Sequence, residues 1–261
     1  MLKKIIALSL CAYLFGLLLF ALFPECIYNT ILDRRLNQNL PDFSVYEDTN
    51  KKKSAFFSFL LPLVEIENAK LKKQRNKLLK IKTHFNTHQS LPPAYKRQLA
   101  IWGARYLPDD AIDEPDTAKN IAILELRING VPPSLVLAQA ANESAWGTSR
   151  FAKEANNLFG EWCFEPGCGI VPANRNANAR HEVRKFAGVY SSISAYFYNI
   201  NTHRAYKQLR ETRLNLENAG KPVTGYALAG GLKNYSEKGA LYIKELRQMI
   251  ISNELEKTNT L

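Results

Sequence analysis

The sequence predicts a mostly helical α+β fold with one small β excursion, preceded by a helical region and an N-terminal transmembrane helix. Three observations carry this expectation. Apolar residues recur at helical spacing over long stretches, as with Leu63, Ile66, Leu71, Leu78, Ile81 and Phe85. Proline and glycine cut those stretches into helix-length pieces, at Pro92-Pro93, Pro108, Gly130 and Pro132-Pro133. Only between residues 160 and 186 does the pattern turn to short runs suited to strands. There is no internal repeat, and 261 residues allow one or two domains.

The first element is an apolar run. Lys3 and Lys4 precede residues 5–23, which carry no charge. As a helix this run would span about 28 Å, close to the thickness of a bilayer's hydrocarbon core. Its end, Ala21-Leu22-Phe23-Pro24-Glu25, matches a small-residue cleavage site poorly, which favours an uncleaved anchor over a cleaved signal peptide. The leading lysines place the short tail in the cytoplasm and the rest of the chain outside. Residues 1–28 are therefore expected to be the signal anchor and 29–50, polar and without a period, a tether.

Residues 51–114 form the helical N-terminal region. Its first helix covers 51–88 and carries a basic face of Lys70, Lys72, Lys73, Arg75, Lys77, Lys80 and Lys82. Such a face is either solvated or rests on an anionic membrane or wall polymer. A second amphipathic helix, 94–107, ends near Pro108. From residue 115 to 253 a second unit follows. Its helices are expected at 117–129, at 134–146 with Ser134 as N-cap, after a cap at Ser191 or Ser192, and at 202–218, 222–231 and 237–253. Strand-like pieces fall at 160–164, 169–171 and 181–186, around an Asn-rich loop at 174–178. Residues 254–261 are a tail.

The formal net charge is +11, which suits anionic surroundings: phospholipid headgroups, nucleic acid or acidic wall polymers. No nucleic-acid-binding motif accompanies it, and an outward-facing domain argues against that partner. Of four cysteines, Cys163 and Cys168 bracket Phe164-Glu165-Pro166-Gly167. A Pro-Gly turn brings its flanks together, so a disulfide is sterically reasonable and would imply an oxidising compartment. Free thiols are the alternative. Zinc would need two more ligands, and His181 stands alone. No metal or cofactor is expected.

Glu143 is the residue that points to chemistry. Val136, Gln139 and Ala140 share its helix face, and small residues surround it (Ala138, Ala140, Ala141, Ala145, Gly147), with Trp146 close by. A general acid working near neutral pH needs surroundings that disfavour its anion, and such a face supplies them. A partly buried Glu bonded to backbone or to an arginine is the alternative.

The residues Gln139-Ala140-x-x-Glu143-Ser144-x-Trp146-Gly147-x-Ser149-x-x-Ala152, followed by Asn156-Asn157-Leu158-Phe159-Gly160, resemble the signature of the bacterial glucosaminidases of glycoside hydrolase family 73. Cys163–Cys168, His181-Glu182-Val183, Asn199-x-Asn201-Thr202-His203 and Asn234-Tyr235-Ser236 resemble its Bax-type branch, the likeness covering about residues 115–253 and more weakly 51–114.

The resemblance implies a lysozyme-like domain that cuts the β-1,4 bond between N-acetylglucosamine and N-acetylmuramic acid, with Glu143 as general acid. It also implies an acidic partner on the following hairpin. Glu182 is favoured for its place on a strand, while Glu161, Glu165 and a substrate-assisted route by the 2-acetamido group stay open. Tyr235 matches a family tyrosine that faces the cleft. Trp146, Asn157, Phe159, Trp162 and Tyr196 are the candidate sugar contacts. The expected partners are peptidoglycan strands and, through residues 5–23, the inner membrane, with the catalytic domain in the periplasm and any protein partner unknown. A lytic transglycosylase and a non-catalytic wall-binding scaffold are the rival readings. The first lacks its usual Gly-Leu-Met-Gln motif here.

Overall fold

The computed structural model describes Asp33 and residues 36–107, 116–173, 175 and 179–259. The apolar run 5–23 lies outside them. Among the described residues, no helix is long and apolar enough to cross a membrane.

The order of elements is α1 (Thr49–His88), α2 (Pro93–Tyr106), α3 (Thr117–Arg127), α4 (Pro133–Glu143), α5 (Arg150–Ala155), β1 (Trp162–Cys163), β2 (Gly169–Ile170), β3 (Glu182–Arg184), α6 (Val189–Thr202), α7 (Lys207–Asn218), α8 (Gly225–Leu228) and α9 (Ala240–Ser252). Single 3-10 turns stand at Phe43–Val45, Arg204–Tyr206, Ala229–Leu232 and Leu255–Thr258. The strands form one antiparallel sheet in the order β1-β3-β2, with Trp162 opposite Val183 and Gly169 opposite Arg184. The expected mostly helical α+β class is borne out.

α1 is the spine of the molecule. Asp48 caps it by accepting from Lys51 N. Its first half buries Phe56, Leu60, Leu63, Val64 and Leu71 in the main core, against α4 and α6. Its second half buries Leu78 and Ile81 in a smaller core with Trp102, Tyr106, Ile121 and Leu124. Both halves of the helix are thus packed into the fold. Much of its basic face is also turned to partners within the fold: Lys70 to Glu67, Arg75 to Glu217, Lys77 to Gln98 and Lys82 to Glu125.

The segment expected to be a tether is seated on the domain from Asn37 onward. Leu40 N donates to Asn156 Oδ1, Asn156 Nδ2 donates to Asn39 Oδ1, and Val189 N donates to Gln38 O. Phe43 is buried edge-on against Phe56, 5.3 Å between ring centres. A run without a period can still dock when one aromatic side chain finds a hole and its backbone groups find partners.

Two helix starts differ from expectation. Ser134 is not a cap. Pro132 and Pro133 open α4, and Ser134, fully buried, donates from Oγ to Glu256. The N-cap of α6 is Gly188 rather than Ser191 or Ser192, and Ser192 Oγ instead accepts from Leu158 N.

Candidate active site

α4 delivers Glu143 by stopping there. The expected helix to Trp146 ends three residues early because Ala145, Trp146 and Gly147 all take positive φ, at 49°, 59° and 76°. Only glycine adopts that region freely, so Ala145 and Trp146 hold strain of about 1–2 kcal/mol each. The turn is locked by Ser144, whose Oγ donates to Ala140 O at 2.6 Å and accepts from Gly147 N at 2.8 Å. Gly147 must be glycine for a second reason: a Cβ there would stand 2.7 Å from Phe43 Cδ2. The consequence is a half-buried Glu143 at the open end of a fully packed helix.

The carboxyl is held on one side only. Tyr242 OH donates to Glu143 Oε1 at 2.7 Å, and Asn142 Nδ2 donates to the same oxygen at 3.2 Å. Among the described residues no hydrogen bond falls on Oε2. Behind Tyr242 the order continues inward. Gln139 Nε2 donates to Tyr242 OH at 3.0 Å, and Tyr196 OH donates to Gln139 Oε1 at 2.6 Å. The whole row therefore points its protons toward Glu143. Burial, with Glu143 beside it, drives the Tyr242 hydroxyl far above the usual phenol range, so it stays a donor.

Tyr242 and Gln139 were not among the expected site residues. Tyr242 falls in phase with Leu246 and Ile250, which reads as a core face. If Glu143 takes part in the chemistry, Tyr242→Phe is expected to lower kcat about tenfold or more while keeping the fold, since it removes the hydrogen bond to Glu143 Oε1 and unpairs Gln139. Steady-state kinetics and a thermal melt check this.

The other expected residues divide into two groups. Tyr235 stacks on Tyr242 at 5.5 Å, nearly parallel, but its hydroxyl donates to Phe159 O at 2.9 Å. Phe159 stacks on Tyr196 at 4.1 Å, and both are buried. Asn157 uses all its polar atoms inside, accepting from Phe159 N and Glu161 N and donating to Glu161 O and Arg184 O. With exposures of 2% and 0%, Asn157 and Tyr196 lie inside the fold and present almost no surface to a sugar. Trp146 is half-buried against Phe56 and Phe57, with Lys53 Nζ 5.1 Å from its ring centre. Trp162 is 56% exposed and stacks on His181, so it alone of these five offers an open face.

The hairpin is closed by the expected disulfide between Cys163 and Cys168. Glu182 lies beneath it. Its Oε1 accepts from Gly167 N at 3.1 Å and its Oε2 from Gly169 N at 2.9 Å. These two backbone bonds hold its carboxyl below the usual range. Both oxygens of Glu182 are thus committed to the cysteine turn, while Glu165 is exposed at the turn's tip. Among the described residues no cluster of His, Cys, Asp and Glu could hold a metal ion.

Residues 119–255, more than half the chain, match the model of the mannosyl-glycoprotein endo-beta-N-acetylglucosaminidase family. The chain belongs to this family. Glu143, Glu161, Glu182, Tyr235 and Tyr242 all fall within the matched glucosaminidase domain. A curated relative, Protein bax of Escherichia coli (strain K12), is 34% identical over 218 residues, covering 84% of this chain and 76% of that protein. The expected Bax-type resemblance is therefore borne out. No solved structure matches this chain. Membership in the glucosaminidase family points to a glycoside hydrolase acting on a glycan.

Proposed function

We propose that this glucosaminidase is a peptidoglycan hydrolase that cuts the β-1,4 bond between N-acetylglucosamine and N-acetylmuramic acid, with Glu143 as general acid. One observation carries the reading. Both donors to the Glu143 carboxyl, Tyr242 and Asn142, bind Oε1. The acidic proton is therefore left to Oε2, the oxygen with no partner among the described residues. As the glycosidic bond lengthens, that proton passes to the leaving oxygen and the anion forms on a carboxyl already held by two donors. Tyr242, aligned through Gln139 and Tyr196, stabilises the anion as it appears and needs no reorganisation.

Trp162 offers an apolar plate on the hairpin's open face, suited to the CH-rich face of a sugar ring. The fold around Glu143 is proposed to be lysozyme-like. The chain is proposed to work outside the cytoplasm of its cell, held at the membrane by residues 5–23. The Cys163–Cys168 disulfide supports an oxidising compartment, and the net charge of +11 supports an anionic polymer as substrate. The reading is tested by incubating purified wall with the protein and identifying the new chain ends. Reducing N-acetylglucosamine ends are expected, and intact wall, or ends of another kind, would overturn it.

A further inference from the structure

We propose that Glu161 is the second carboxyl of the reaction, the base that activates the attacking water. This rests on the hydrolase reading of Glu143. Among the described carboxylates near the hairpin, Glu182 has both oxygens bound by Gly167 N and Gly169 N. Glu161 is the opposite case. Its Oε1 is buried and accepts no hydrogen bond from any described residue. A buried acceptor left unpaired within the protein costs about 1–3 kcal/mol, and a water held on that oxygen would relieve the cost.

The backbone of Glu161 is meanwhile held at both its N–H and its carbonyl. Asn157 Oδ1 accepts from its N–H at 3.1 Å, Asn157 Nδ2 donates to its carbonyl at 2.9 Å, and Arg184 N donates to the same carbonyl at 2.9 Å. An unpaired side chain on a clamped backbone is the pattern of a preorganised group rather than of a loose surface acid.

Glu161 also shares its surroundings with Glu143. The charges of both bear on Tyr196, from α6, and on Tyr206, from the following 3-10 turn. Arg184, across the strand pair, is a cation that bears on Glu161. Burial outweighs that cation and pushes the Glu161 carboxyl up to about 7. A base titrating near the working pH combines a usable anion fraction with proton affinity.

The step balances simply. Water oxygen bonds to the anomeric carbon as the bond from that carbon to the leaving oxygen breaks. One water proton goes to Glu161, and the proton on Glu143 goes to the leaving oxygen. The anomeric centre is inverted.

The test compares Glu161→Gln, Glu161→Ala and Glu182→Gln with wild type on purified wall. Glu161→Gln is expected to lose on the order of 100-fold in kcat. It also loses the limb of the pH profile in which wild-type kcat falls as pH drops below about 7. Added azide or formate restores turnover to Glu161→Ala, which a merely structural role would not allow. Glu182→Gln lowers the thermal midpoint and keeps the limb. If wild type is active while Glu161→Gln stays within threefold of it and keeps the limb, the inference fails and the Glu143 reading stands. If wild type releases no glycan, both fail.

Discussion

Glu143→Gln is expected to lower kcat on purified peptidoglycan by about a thousandfold or more, with the fold intact. Glutamine keeps the size of the side chain and still accepts from Tyr242 OH, so the packing of α4 against α9 does not change. It has no proton to give. Positioned general acids contribute roughly 10²–10⁴-fold, and in the proposed reaction the leaving group is a poor one, an alkoxide of a sugar, so the upper part of that range is expected. KM is expected to move little, because the lost interaction is made in the transition state rather than with bound substrate. Steady-state kinetics with a thermal melt of each protein provides the check. A variant within tenfold of wild type would remove Glu143 from the role of acid.

The largest expected loss of stability comes from Arg213→Leu, about 3–5 kcal/mol. Arg213 is fully buried on α7 and serves three acceptors: Gly130 O at 2.6 Å, Leu126 O at 2.8 Å and Asn201 Oδ1 at 2.8 Å. Leucine fills most of the volume but strands all three. Each stranded buried acceptor costs about 1–3 kcal/mol, partly regained from the transfer of the apolar side chain. The loss also bears on the site. Arg213 fixes the end of α3 and the loop through Gly130 that launches α4, the helix carrying Glu143. Denaturant unfolding should show a lower midpoint with the slope unchanged. A shift below about 1 kcal/mol would mean that water replaces the guanidinium.

Part of the site is legible in the sequence because it is local. Glu143 and the Asn-Asn-Leu-Phe-Gly block lie close in the chain, and their small residues, glycines and asparagines have positional meaning. Asn156, for instance, takes the left-handed conformation at the C-cap of α5. The cysteine turn is legible for the same reason, since Pro166-Gly167 brings its flanks together.

What could not be read depends on distance along the chain. Tyr242 meets Glu143 across 99 positions, and nothing in its own helix separates it from a core tyrosine. Glu182 and Glu161 look alike as hairpin acids. They part only in three dimensions, where one finds two backbone donors and the buried Oε1 of the other finds none among the described residues. Asn157 and Tyr196 have the chemistry of sugar contacts, yet tertiary packing consumes their polar atoms. The basic face of α1 reads as solvated because its acidic and amide partners, Glu125, Glu217 and Gln98, come from other elements.

The claim that a proton from Glu143 opens a glycosidic bond to water is tested most directly by digesting purified peptidoglycan in heavy-oxygen water and weighing the fragments. The account predicts new reducing N-acetylglucosamine ends, each carrying one oxygen from the solvent, released by wild type and absent with Glu143→Gln. Fragments ending in anhydro-muramic acid, with no solvent oxygen, would contradict it, as would labelled ends formed equally well by the Glu143→Gln protein.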